Sequence, residues 1–293
     1  MSHLWSQDTQ VGRIPSLLSR LLRTRGAGFG LFVLITVLLV AVAADILSPY
    51  NPNSLMPDGI LQPPSPAHLF GTDHLGRDVL SRTIHGTRVA VQAGFISVGI
   101  AVALGVVIGL IAGYRGGWVD DILMRLIDTL WSFPTLVLAL AIAASMGPGL
   151  ANAMIAIGIV FTPAFARLVR GQTLSVREQD FVTAARAIGS NPLRITLVHI
   201  WPNVTAPIIV QSSLMVAQAI IVEAALSFLG LGVEPPNASW GSMVRAAYAV
   251  LDQAPWPCFF PGIAIFVTVL GLNLLGDGLR VALDPRLRQR GVG

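Results

Sequence analysis

Long apolar runs alternate along the chain with short segments that hold nearly all of its charge. Six runs have the length of a membrane-crossing helix: Phe29–Leu47, Val89–Gly113, Leu126–Met146, Ala151–Leu168, Pro207–Leu231 and Phe259–Leu279. A hydrocarbon core about 30 Å thick takes roughly 20 apolar residues in a helix. The pattern therefore predicts an all-α, polytopic membrane helix bundle with six transmembrane helices. The first run has a second reading. Arg13, Arg20, Arg23 and Arg25 precede it, and Ala41-Val42-Ala43 near its end has the small-x-small form of a signal-peptide cleavage site. The apolar stretch is long for such a peptide, and so is the tail before it.

The segments between the runs differ in character. Residues 48–70 carry Pro49, Pro52, Pro57, Pro63, Pro64 and Pro66, and the segment 232–257 carries Pro235, Pro236, Pro255 and Pro257. The first reads as extended rather than helical, and neither is long enough to be a separate domain. Pro134 and Pro163 fall within apolar runs and are expected to kink them. The implied division is a tail (1–28), a first span (29–47), a loop (48–88), a core of five spans (89–283) containing a charged loop at 169–206, and a second tail (284–293).

Composition supports the membrane reading. The 293 residues are 54% hydrophobic and only 12% charged, half the charged share of an average soluble domain. All nineteen basic residues are arginine, so arginine clusters say less than usual about phosphate recognition. No stretch interleaves aromatic with basic residues, and nucleic acid is not an expected partner; membrane lipid is. With the N-terminus inside, fifteen arginines lie on the cytoplasmic side and only Arg77, Arg82, Arg88 and Arg245 outside. That asymmetry predicts cytoplasmic termini.

Little in the chain points to catalysis. The single cysteine, Cys258, excludes an intrachain disulfide framework and reads as a packed thiol. His68 and His74 share a loop but lack further ligands, so no metal site is expected. There is no G-x-x-x-x-G-K-S/T, no H-E-x-x-H and no G-x-S-x-G, and hence no expected catalytic residue and no nucleotide site in this chain.

Some polar and small residues inside the runs draw notice. Gly105, Gly109 and Gly113 recur every fourth residue and form one ridge, suited to close helix packing. Asp128, Glu223 and Asp277 are carboxylates within spans and candidates for a translocation path or an inter-subunit contact. Arg125 and Arg280 are three residues from Asp128 and Asp277, so a local pair is the plainer reading for those two. Glu223 has no charged neighbour within a turn and must face the bundle interior, a cavity or another chain.

The charged loop has its own pattern. Ser175-Val-Arg-Glu178 has the form of a capping box, predicting a helix start near Val176. Phe181, Ala184, Ala185 and Ile188 then form an amphipathic face of small and apolar residues. Gly189 supplies a turn, Asn191 an N-cap and Pro192 a first helical residue, with Pro202 ending a second short helix at Trp201. The spacing fits a surface gripped by a partner and equally a helix resting on lipid headgroups.

The stretch "TAARAIGSNPLRITLVHIWPN" (183–203) resembles the cytoplasmic EAA-type loop of ATP-binding-cassette importer permeases. It departs where Thr183 replaces glutamate, His199 isoleucine and Trp201 leucine. "FGTDHLGRDVLSR" (70–82), "GGWVDDILMRLIDTLWSFP" (116–134), "LSFLGLGVEPPNASWG" (226–241) and "NLLGDGLRVALDPRLR" (273–288) are similar to the C-type permease subunit of dipeptide, oligopeptide and nickel importers. Val281 departs from an aspartate common there.

The resemblance implies the type I importer permease fold, in the cytoplasmic membrane of a bacterium. It implies that Arg177, Glu178, Asp180, Phe181, Ala184, Ala185, Ile188 and Gly189 form a coupling helix seated in an ATPase subunit. The partners would be a homologous permease, two ABC ATPase subunits that bind ATP and Mg, and an extracytoplasmic substrate-binding protein touching Asp73, Arg77 and Asp78. The cargo would be di- or oligopeptides. A nickel or metal-chelate cargo on the same machinery, and an ATP-independent secondary transporter using Glu223, are the competing readings.

Overall fold

The computed structural model describes residues 24 and 26–283. Most of the two predicted tails lies outside the described residues, with Arg13, Arg20, Arg23, Arg25, Arg286, Arg288 and Arg290. The elements are α1 (Ala27–Val42), α2 (Ala44–Leu47), a 3-10 turn (Pro57–Gly59), α3 (Val79–Arg115), α4 (Gly117–Trp131), α5 (Thr135–Met146), α6 (Leu150–Arg177), α7 (Asp180–Ala187), α8 (Pro192–Arg194), a π-helical stretch (Ile195–Ile200), α9 (Trp201–Leu229), α10 (Trp240–Tyr248) and α11 (Trp256–Leu283). Among the described residues there is no strand, only an isolated bridge between Thr72 and Asp78.

Four stretches are apolar and long enough to cross a membrane: α3, α6, the run from α8 through α9, and α11. The predicted span Leu126–Met146 is not one helix. It is the pair α4 and α5, bent by 93°. Pro134 has no N–H to donate and disfavours a helical Phe133, so the ladder stops there. At 1.5 Å per residue, α4 is only about 22 Å long and α5 about 18 Å, each short of the core thickness. Pro163, by contrast, sits buried inside α6, which runs through it without a break.

The centre of the bundle is the α3–α6 contact, and the glycine ridge makes it. A Cβ at Gly105 would stand 2.5 Å from the Phe165 Cβ, one at Gly109 2.6 Å from the Ala166 carbonyl oxygen, and one at Gly113 2.7 Å from the Thr173 Cβ. The ridge thus packs within the chain. Helix α1 docks on α11 by the same device, Gly30 lying against the Gly271 and Leu275 backbone. Arg88 at the far end of α3 donates to the Ala41 carbonyl at 2.7 Å. These contacts make α1 a working helix of the bundle, against its reading as a removed leader.

Helix α3 begins ten residues before the predicted Val89. Asp78 caps it, accepting from the Ser81 N–H at 2.7 Å, and Ser81, Arg82, Thr83 and Thr87 are buried beneath a folded loop instead of lipid. That loop is not a loose proline-rich tether. His68 Nδ1 lies 2.9 Å from Asp78, Trp256 donates to the Thr72 carbonyl at 3.0 Å, and Phe70 stacks on Phe260 at 3.8 Å. The segment 232–257 holds a helix, α10, between its two proline pairs. Ser239 and Ser242 cap it reciprocally, each side chain accepting from the other's N–H, and Trp240 donates to the Thr83 carbonyl at 2.9 Å. Cys258, near the start of α11, is a free, partly buried thiol.

Candidate functional site

At the opposite end, α7 lies across the ends of α3 and α6. Its start differs from the prediction: Ser175, Val176 and Arg177 belong to the last turn of α6, Glu178 is the C-cap, and the new helix opens at Asp180 after Gln179. The expected capping box does not form, because the α6 ladder continues through Arg177 and leaves Ser175 no free N–H to cap. Its end agrees with the prediction. Gly189 adopts φ +77°, its N–H donates to Arg186 O at 2.9 Å, and the Ser190 N–H donates to Ala185 O at 3.1 Å. That is a glycine-terminated helix stop. Asn191 then accepts from the Leu193 N–H at 2.9 Å, with Pro192 as the first helical residue.

Pro202 does not end a helix. The chain passes from α8 through the π-helical turn into α9. A proline ring collides with the carbonyl four residues earlier, and a widened turn just before Pro202 removes that collision.

The faces of α7 sort differently from the sequence pattern. Val182 (0% exposed) and Ala185 (6%) point into the bundle, while Phe181 (42%) and Ile188 (82%) remain open. Ala184, Glu178, Asp180 and Gly189 are also exposed. Ala185 is therefore a foot of the helix, not part of its outer face. Several groups hold that foot in place. Arg177 donates to the Gly113 carbonyl at 2.8 Å, the Arg186 guanidinium lies 5.8 Å over the Tyr114 ring, and Phe181 tilts against His199 with centroids 6.3 Å apart. The result is an apolar, open surface rigidly joined to the two central helices.

Ion pairs around it escaped the sequence. Arg170 donates through Nε and Nη2 to both oxygens of buried Asp120, at 2.5 and 2.6 Å. Asp128 pairs with Arg167 at 2.6 Å, not with Arg125, and Arg167 also covers the Trp131 ring at 4.8 Å. These partners lie 39 to 50 residues apart, beyond any local spacing rule. Arg170→Gln leaves the Asp120 carboxylate without its cation. It is expected to cost about 1–3 kcal/mol, discounted for the part-exposed arginine, read as a lowered thermal midpoint of the purified protein.

The other singled-out residues scatter. Asp277 is exposed, and the expected pair with Arg280 does not form. Glu223 is 2% exposed within α9, where Ser227 donates to its Oε1 at 2.6 Å. Asp73, Arg77 and Asp78 are 7%, 8% and 1% exposed. Arg77 donates to Asp73 at 2.7 Å, and Asp78 serves as the α3 cap. Direct contact of these three with a second protein, as expected from the sequence, conflicts with their burial: internal pairing satisfies them. Among the described residues no cluster of three or more His, Cys, Asp or Glu side chains suits a metal ion.

Comparison with known proteins agrees with this architecture. The chain is similar over 96% of its length to a dipeptide transport system permease protein of Alkalihalophilus pseudofirmus, at 43% identity and covering 93% of that protein. It is 42% identical to a glutathione transport system permease protein of Pectobacterium atrosepticum, covering 97% of this chain and 99% of the other. In fold it is similar to a chain of the MetNI methionine ABC transporter, with TM-score 0.58, 14% identity, and coverage of 69% of this chain and 96% of that one. Residues 16–64 match the N-terminal TM domain of oligopeptide transport permease C. With residues 105–289 matching the family model itself, the chain belongs to the binding-protein-dependent transport system inner membrane components.

Proposed function

We propose that the chain is one half of the membrane channel of an ATP-driven importer of di- and oligopeptides. A homologous permease supplies the other half, a substrate-binding protein outside the membrane delivers cargo, and two separate ATPase subunits hold ATP and Mg. The peptide cargo is supported by the dipeptide and glutathione permeases to which the chain is similar over nearly all of its length. The arginine asymmetry supports cytoplasmic termini, with α7 inside and α10 outside.

The observation that carries the coupling role is the two-sided character of α7. Its inner foot, Val182 and Ala185, is fully packed, and its outer face bears Phe181 and Ile188. Such a helix transmits a push on its outer face to α3 and α6 through Arg177 and Arg186. Closure of the two ATPases on ATP draws the paired α7 helices together and biases the channel toward its outward-facing state. The bias equals the difference in ATPase binding energy between the two states, and hydrolysis removes it. The chain itself carries no ATPase activity.

Affinity purification of the tagged chain in mild detergent tests this. A P-loop ATPase and a second six-helix permease co-purify, and ATP drives uptake of labelled dipeptide into proteoliposomes when the binding protein is present. Uptake that continues with the ATPases removed overturns the proposal.

A further inference from the structure

At the α10 end a cavity of about 600 Å³ lies between the 73–82 segment, the turn after α9, and α10. Its size suits a small ligand. Much of its wall is apolar, from Val79, Met243, Val250 and Pro257. Charged side chains also line it: Asp73, Arg77, Arg82, Glu234 and Arg245. The first three are buried in the loop network. Arg77 pairs with Asp73 at 2.7 Å, and Arg82 donates to the Pro52 and Pro236 carbonyls at 2.8 and 3.3 Å. Glu234 and Arg245 differ. Both are exposed, and among the described residues neither pairs with the other or with any other group.

Arg245 is also placed. Gly230 has φ +90°, and a Cβ there would overlap the Arg245 guanidinium. The bare glycine leaves room for the cation close to the backbone at the cavity wall. Among the described residues, an unpaired cation and an unpaired anion thus line one open cavity without meeting, although opposite charges attract. That arrangement complements a ligand carrying both charges at separate ends.

We infer that this cavity binds the two ends of a short zwitterionic peptide, its carboxylate on Arg245 and its ammonium on Glu234. The guanidinium fork matches a carboxylate in a bidentate pair. A di- or tripeptide spans roughly 7–10 Å between its ends when extended. Exposed pairs are individually weak, so affinity is low, as a site that must release its cargo requires. The inference rests on the peptide-import reading and deepens it: the permease itself, and not the delivering protein alone, reads the termini.

The test is protection from labelling in the assembled transporter, without ATP or binding protein. Ala246, which lines the cavity, is changed to cysteine in a Cys258→Ser background and treated with a maleimide. Dialanine at roughly 10 mM is expected to slow labelling about threefold, as for a site of millimolar affinity. N-acetyl-dialanine amide, which lacks both charges, does not slow it. Arg245→Gln and Glu234→Gln each abolish the protection while the complex still co-purifies. Absent protection, equal protection by the blocked peptide, or protection that survives Arg245→Gln overturns the inference. Uptake of dipeptide, measured after the same preparation is reconstituted in proteoliposomes and given ATP and binding protein, separates the two readings. Protection without uptake sinks peptide import and leaves a zwitterion site; uptake without protection sinks the site alone.

Discussion

Ala184→Arg strips the ATPase from the purified complex and lowers ATP-driven dipeptide uptake by roughly 30-fold or more, the scale of losing one interface anchor of about 2 kcal/mol. Ala184 is exposed and touches no ion pair, so the substitution leaves the isolated permease folded, within about 0.5 kcal/mol. An arginine there adds bulk and charge where the partner must approach the short side chains between Phe181 and Ile188. Phe181→Ala acts in the same direction by removing an apolar anchor, though its ring also lies against His199. Two measurements check the claim: recovery of ATPase on a tagged permease, and the thermal midpoint of the permease alone. A variant that keeps its ATPase and its uptake shows that the outer face of α7 touches lipid only. Val182→Asp is the contrasting case. It buries a carboxylate in the foot of the helix and lowers stability and coupling together.

The second large effect lies at the centre of the bundle. Gly109→Val places new atoms against the Ala166 carbonyl oxygen, the Val169 Cβ and the Arg170 nitrogen, at 2.6, 2.7 and 3.0 Å for the Cβ alone. Two of the three blocking atoms are backbone and cannot rotate away, so α3 and α6 must separate. Overpacking of this kind costs about 1–3 kcal/mol or more and lowers the thermal midpoint by roughly 5–10 °C. Gly99 and Gly171 are the controls. A Cβ at either meets nothing within 4 Å, so Gly99→Ala and Gly171→Ala leave the midpoint unchanged or raise it slightly. Equal losses at Gly99 and Gly109 would place the cost in helix geometry instead of the α3–α6 contact.

The residues of α7 illustrate how far a linear pattern reaches. Phe181, Ala184, Ala185 and Ile188 recur at helical spacing, and a helix forms there. Periodicity marks a face but not what the face meets. Val182, beside the stripe, is the most buried residue of the helix, and Ala185 turns inward with it. The stop was readable in detail, because Gly189, Asn191 and Pro192 act through their own backbone chemistry within a few residues. The start was not, because the α6 ladder overrode a good local cap. At the other end, Asp73, Arg77 and Asp78 looked like an exposed charged cluster. Burial by the loop 48–70 and by α10 made them internal.

The sequence by itself determined what depends on neighbours along the chain. This covers an all-helical membrane protein, the approximate position of each apolar run, the close-packing glycine ridge and the turn at Gly189, whereas the kinks expected alike at Pro134 and Pro163 became a 93° break at the first and a continuous helix at the second. Each follows from side-chain volume, missing N–H groups or transfer energy, which act over one or two turns. Only the tertiary structure decided which charge meets which. Asp120 finds Arg170, Asp128 finds Arg167, and among the described residues Glu234 and Arg245 are left unpaired across a shared cavity. Coulomb attraction and desolvation depend on distance through space, and the packing of α3 against α6 and of α10 against the loops sets those distances.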